Sequence, residues 1–200
     1  MNFSEIKLEA KDVLSGNRLM MLVAIIVVGA LGALTAATII GSIIAPILVG
    51  GLFWLSLKLF ETKEIDFYHL FIFFKDFNHA AKLIGVAFLT AIFVLLGTLL
   101  FVIPGIIFAY RYSQALYIMA ENPDLSVTEA MKQSQEMMRG YKMNLFFFHL
   151  SFFFHFVLGV LTFGLYFLYI IPYIVAANVN YYRHLSGQRN KKTTKMIDFN

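Results

Sequence analysis

Three long stretches of this chain carry almost no charge, and they are nearly evenly spaced. Residues 19–57 run for 39 positions without Asp, Glu, Lys or Arg. Residues 83–120 run for 38, interrupted only by Arg111, and 143–182 for 40, with His149 and His155 the only ionisable imidazoles. A bilayer core about 30 Å thick needs about 20 apolar residues per helix. Each stretch is therefore long enough for a helical hairpin. The pattern predicts an all-α membrane protein with six transmembrane helices, near 19–40, 46–60, 83–103, 104–120, 143–161 and 165–183.

Small or helix-breaking residues punctuate each stretch. Gly41–Ser42 and Ala45–Pro46 interrupt the first. Ile103–Pro104–Gly105 interrupts the second, where Pro104 suits the first turn of a following helix. Thr162–Phe163–Gly164 interrupts the third, leaving Pro172 as a kink inside the sixth helix. A basic residue stands where each hairpin begins, at Arg18, Lys82 and Lys142. Ahead of each lies a segment with apolar residues three and four apart, the spacing of an amphipathic helix. These are Phe3, Ile6, Ala10, Val13 and Leu14; Phe67, Leu70, Phe71, Phe74 and Phe77; and Val127, Ala130, Met131, Ser134, Met137 and Met138. The third opens with a capping box, Ser126 and Glu129. An internal repeat follows, with units of approximately 3–60, 64–120 and 124–183, each an amphipathic helix and a hairpin, ahead of a basic tail at 184–200. The whole chain, 1–200, reads as one integral membrane domain.

Charge sets the expected orientation. Lys and Arg, apart from Arg111, fall in the N-terminal segment, the two long connections and the tail, and the hairpin tips carry none. The positive-inside rule then places both termini and both long connections in the cytoplasm of a cell membrane. The first 18 residues include Glu5, Glu9 and Asp12 and precede an apolar run too long for a signal peptide, so no cleavage is expected. Composition agrees: 60% of residues are hydrophobic, 14% are charged, and mean hydropathy is +0.74. A typical soluble domain is about 25% charged. The net charge of +4 suits an anionic membrane surface. No nucleic-acid-binding motif accompanies it, so no nucleic-acid partner is expected.

Candidate chemistry is sparse. Arg111 is the one charge expected inside a span, about 10 Å below an outer tip at 1.5 Å per residue. An intramembrane arginine is costly and faces a polar interior, a cavity or the headgroups. With Gln114 and Asn178 it forms the candidate polar or anion site. His149 and His155 lack zinc-site spacing, and no paired carboxylate, nucleophile–histidine pair or phosphate-binding glycine loop occurs. Neither cofactor nor metal is expected, and the chain reads as a non-enzyme.

Residues 101–182 nevertheless resemble a known family, the bacterial domain of unknown function 975 family. The resemblance rests on Ile103–Ile107 (IPGII), Tyr110–Gln114 (YRYSQ), Ala120–Asp124 (AENPD), Glu129–Ala130, Ser134, Met137–Lys142 (MMRGYK), Leu150–Phe152 and Ile171–Tyr173. It implies an uncharacterised multi-pass integral membrane protein and brings no catalytic residues. Members often carry an acidic residue where His149 stands, so an ion pair with Arg111 is missing here. Two functions fit the sequence. The first is a non-enzymatic bacterial cell-envelope protein acting through lipid or protein contacts, in assembly, stress resistance or immunity. Its partners would be the bilayer, anionic lipid headgroups, and a membrane protein or a second copy. The alternative is a small-solute transporter or channel with a polar path near Arg111, Asn178 and Asn180.

Overall fold

The computed structural model describes the backbone of residues 2–35 and 38–197, with the side chains of 35, 39, 40, 42 and 188–197 left aside. Every regular element among the described residues is helical. α1 (Phe3–Val13) leads into α2 (Arg18–Thr35) and α3 (Ile39–Thr62). Two 3-10 turns, Phe67–Leu70 and Ile72–Phe74, precede α4 (Phe77–Leu100), α5 (Val102–Tyr112) and α6 (Ala115–Glu121). α7 (Val127–Met137), α8 (Lys142–Leu150), α9 (Phe153–Leu161) and α10 (Leu165–Ile197) complete the chain.

Local chemistry explains most boundaries. Thr38 caps α3 by accepting from the Gly41 amide, and Asp76 caps α4 by accepting from Asn78 and His79. The Ser126–Glu129 capping box is formed at α7. Gly16 (φ 85°) permits the 95° bend between α1 and α2. Phe163 (φ 50°) and Gly164 (φ 90°) make the turn between α9 and α10.

Several boundaries differ from the sequence expectation. α3 is capped by Thr38 and begins at Ile39, so Gly41 lies in its first turn and Pro46 lies within it. The expected middle amphipathic helix is instead the pair of 3-10 turns. Asp66 caps the first of them, and the aromatic run docks across α3 too tightly for a regular helix. A Cβ on Gly51 would overlap the Leu70 carbonyl. Lys82 sits inside α4 rather than ahead of it, whereas Arg18 and Lys142 each open a helix. Pro104 falls in the first turn of α5, where its missing N–H costs nothing. Pro172 lies inside α10, which continues past it. Of the tail at 184–200, α10 includes residues as far as Ile197, and 198–200 lie outside the described residues.

The span count also changes. Residues Ile43–Thr62, Phe77–Leu100 and Lys142–Leu161 are long and apolar enough to cross a membrane, and the bent α1–α2 pair makes a fourth candidate. The expected 104–120 span is broken at Ser113–Gln114 into α5 and α6. The expected 165–183 span is the first half of α10, whose tyrosines, Asn178 and Asn180 dilute its apolarity.

The packed core lies at one end of the molecule. Ile6, Ala10 and Leu14 of the N-terminal segment meet Phe53, Leu55 and Leu59 of α3, Ile118 and Met119 of α6, Met131 of α7, and Ala177 and Tyr181 of α10. Phe53 stacks on Tyr117 at 4.3 Å, with Tyr182 edge-on to Phe53 at 5.3 Å. From this base the helices project with apolar side chains outward. Leu19 and Leu34 of α2, Phe88, Leu95 and Leu99 of α4, Ile103 of α5, and Phe154 and Leu161 of α9 are all exposed. Gly97 and Gly105 let α4 and α5 pack backbone to backbone, because a Cβ on Gly97 would stand 3.0 Å from the Gly105 nitrogen.

α1 is laid lengthwise against the α8–α9/α10 hairpin. Phe3 meets Phe148 at 5.6 Å, the Lys7 ammonium stands 4.3 Å from the centre of the Phe152 ring, and Arg18 lies 4.0 Å over Tyr169. Tyr169 is five residues past Gly164, about 7.5 Å of helix. Allowing for the tyrosine side chain, the Arg18 guanidinium is within about 20 Å of the 162–164 turn, short of the bilayer core's about 30 Å. The sequence pattern had put a whole span between them. The third hairpin therefore shares its level with the charged helix α1.

Candidate functional site

The residues expected to form a polar site are divided among three environments. Arg111 is the penultimate residue of α5, two residues before Ser113 at the break. Its carbonyl accepts a 3.0 Å hydrogen bond from the Ser134 hydroxyl of α7, and that hydroxyl accepts the Gln114 amide at 3.2 Å. Ser134 thus bridges the two ends of the break, supplying partners the interrupted helix cannot. Arg111 consequently lies against α7, ten residues below the α4–α5 tip and at the packed base, rather than near that tip. Its guanidinium stands 5.9 Å from the Phe108 ring and 5.6 Å from that of Tyr112. Arg111 Nε and Gln114 Oε1 are buried without a hydrogen-bond partner, while Gln114 Nε2 donates to Ser113 at 3.0 Å.

Asn178 is elsewhere. Its carbonyl oxygen lies 2.8 Å from His149 Nε2, and its amide donates to the Ile174 carbonyl. His149 therefore pairs across α8 and α10 rather than with Arg111. Tyr110, beside Arg111 in sequence, approaches the His149 ring at 6.1 Å.

A third cluster was not visible in the sequence. Asn180, fully buried, donates to the Ile6 carbonyl at 3.1 Å and to Glu9 at 2.8 Å. Arg183 donates to the Asn180 oxygen, and His184 Nε2 lies 3.0 Å from the Glu9 carboxylate. Asn180, Arg183 and His184 fall on one face of α10, a three- and four-residue spacing that fits a helix. Their partner lies 171 residues away, so no local signal named it. The Asn180 hydrogen bond holds the Glu9 carboxyl below its ordinary value, helped by His184 and Arg183 and opposed by burial. Across the molecule, His79 bonds the Met119 carbonyl at 2.7 Å and Lys82 the Pro123 carbonyl at 2.6 Å, fastening the start of α4 to the end of α6.

The clusters have the chemistry of clasps: carbonyls, amides and one carboxylate, each joining two helices. Among the described residues, His, Asp and Glu form no group of three that could hold a metal ion. Two cavities flanking the helices are apolar. One of about 580 Å³ lies between Pro46 and Val49 of α3 and Ile84 and Phe88 of α4, and one of about 370 Å³ between Phe153 and Phe156 of α9 and Ile170 of α10.

Residues 92–189 match a family model described as protein of unknown function (DUF975). Over this segment, just under half of the chain, the protein is similar to the DUF975 family. The matched segment begins in the second half of α4 and ends within α10, so it contains Arg111, Ser134, the His149–Asn178 pair and the α10 half of the Glu9 clasp. The Glu9 half lies outside the match. No curated protein and no solved structure matches the chain.

Proposed function

We propose that this protein is a non-enzymatic, multi-pass protein of the bacterial cell membrane that works through lipid and protein contacts. The observation carrying this reading is the large apolar surface left exposed in addition to an apolar core. Polar side chains such as Ser56, Gln114, Ser134 and Asn180 are buried in the base, while the projecting faces of α2, α4, α5, α8 and α9 expose large apolar side chains. Contiguous apolar surface of this extent marks contact with a membrane or a partner.

In this reading α2–α3 and α4–α5/α6 are the spanning hairpins. Lys82 at Pro123 requires the chain to return to its starting level after α4, so the broken α5–α6 segment is the returning limb. α1, at 95° to α2, lies in the membrane surface with the third hairpin beside it. Four crossings keep both termini and both long connections on the cytoplasmic side. Assembly, stress-resistance and immunity roles all need such a lipid-facing body with a charged inner rim.

The test uses the single tryptophan. Trp54 is replaced by Phe, and a new tryptophan is placed at Phe88 or Phe154. Reconstituted into vesicles, both should be quenched by brominated acyl chains, whereas one at the buried Phe53 should not. An absence of quenching at both exposed positions would overturn the reading.

The second reading, a solute path, is favoured by two buried polar atoms that lack a hydrogen-bond partner, Gln114 Oε1 and Arg111 Nε. The chain has no native cysteine, so Gln114→Cys can be probed against no background. Ready modification from water would support a path, and inaccessibility would leave the lipid-contact reading alone.

A further inference from the structure

Where α1 bends into α2, the structure holds a cavity of about 290 Å³ lined by Lys11, Arg18, His155, Tyr166, Tyr169 and Tyr173. Unlike the two apolar cavities, it brings two cations to three phenols and an imidazole. The Tyr166 hydroxyl lies 3.0 Å from His155 Nδ1, and the Arg18 guanidinium rests over Tyr169. Among the described residues, no carboxylate forms an ion pair with Lys11 or Arg18, while neighbouring Asp12 is taken by Lys63 at 3.3 Å. Arg18 also opens α2, where free backbone amides and the helix dipole disfavour a cation and favour an anion. Lys11 lies in the last turn of α1, where the dipole suits a cation, so the uncompensated cost falls on Arg18, and an anion in the cavity would offset it while bridging both cations.

We infer that this cavity binds a phosphate-bearing anion, held by Lys11 and Arg18 and hydrogen-bonded by the tyrosine hydroxyls. A guanidinium and an ammonium supply the donors that phosphate oxygens accept best. Its volume admits a phosphate with a small esterified group. Exposed Leu165 and Leu168 of α10 and Phe156 and Val160 of α9 belong to the same hairpin, so an acyl chain attached to that phosphate would have apolar surface nearby. The inference rests on the lipid-contact reading only for that acyl chain; the anion site itself does not need it.

The full chain is placed in nanodiscs of phosphatidylcholine alone or with phosphatidylglycerol and released for native mass spectrometry. Wild type should retain phosphatidylglycerol. Lys11→Gln/Arg18→Gln should lose it by about tenfold or more, the scale of a lost charge-assisted hydrogen bond. Lys75→Gln/Arg139→Gln, with the same change in net charge, should retain it. In a parallel arm, detergent-solubilised wild type is heated with inorganic phosphate. Phosphate stabilisation that vanishes in the Lys11/Arg18 variant, without lipid retention, assigns the site to a soluble phosphate compound. Lys11 reactivity toward an amine reagent in wild type guards against a variant that fails to fold. It should fall with phosphatidylglycerol or phosphate while that of Lys75 does not. No anion effect in any arm, or equal loss in the control variant, overturns the inference. Failure here with tryptophan quenching intact would leave the lipid-contact reading standing.

Discussion

Gly51 shows how a single residue fixes a neighbouring segment. Its missing side chain lets the Leu70 carbonyl rest on α3, which brings Leu70 and Phe73 into the core and orders the aromatic run between α3 and α4. Gly51→Ala should destabilise the folded protein by about 1–3 kcal/mol, the usual cost of overpacking. Thermal unfolding in detergent would measure it, and an unchanged midpoint would show that the 3-10 turns are not docked there. Glu9 offers a second test. Its carboxyl is held down chiefly by Asn180, so its contribution to stability is complete above the ordinary value of about 4.5 and disappears as pH falls through the lower folded value. The Glu9→Gln variant should therefore be less stable than wild type at neutral pH. Its stability should also fall less between about pH 5 and pH 3. Parallel pH profiles for the two proteins would mean that Glu9 titrates as a free carboxylate.

At the scale of elements, α7 illustrates how capping and packing divide the work. Ser126 and Glu129 satisfy its first amides, while Ala130, Met131, Ser134 and Met137 enter the core. Both features lie within three or four residues in sequence, so both were legible there. That Ser134 would also mend the break between α5 and α6 was not, because Arg111 and Gln114 belong to another helix. Ser126→Ala should cost about 0.5–2 kcal/mol through the lost cap. Hydrogen exchange should then speed up first at the amides of the opening turn of α7. Uniform acceleration throughout the chain would instead indicate that α7 unfolds only with the whole. The middle amphipathic segment went the other way. Phe67, Leu70, Phe71, Phe74 and Phe77 have helical spacing, but an aromatic-rich segment pressed onto the Gly51 face of α3 has no room for a full α-helix.

For the whole molecule, the relation of the third hairpin to α1 decides the membrane arrangement. If the two share a surface layer, a cysteine replacing the fully exposed Phe163 should react with an impermeant thiol reagent from the same side as one replacing Leu8 of α1. A cysteine replacing Leu100, at the α4–α5 tip, should react from the opposite side. Grouping of Phe163 with Leu100 would restore a full third hairpin across the membrane and overturn the surface-layer arrangement.

The sequence by itself determined the helical class, the apolar stretches suited to a membrane, the α7 cap, the break at 162–164 and the family resemblance. Those depend on residues close together along the chain, where periodicity, caps and breakers act. Tertiary structure alone decided that Arg111 sits at the base, that His149 meets Asn178, that Glu9 is clasped by α10, and that Lys11 and Arg18 converge on the tyrosines of α9 and α10's hairpin. Each of these joins groups far apart in sequence. Such contacts are set by how helices bend and pack, and a charge-free run of residues reports only that a helix is apolar enough to cross a membrane, not which way it lies.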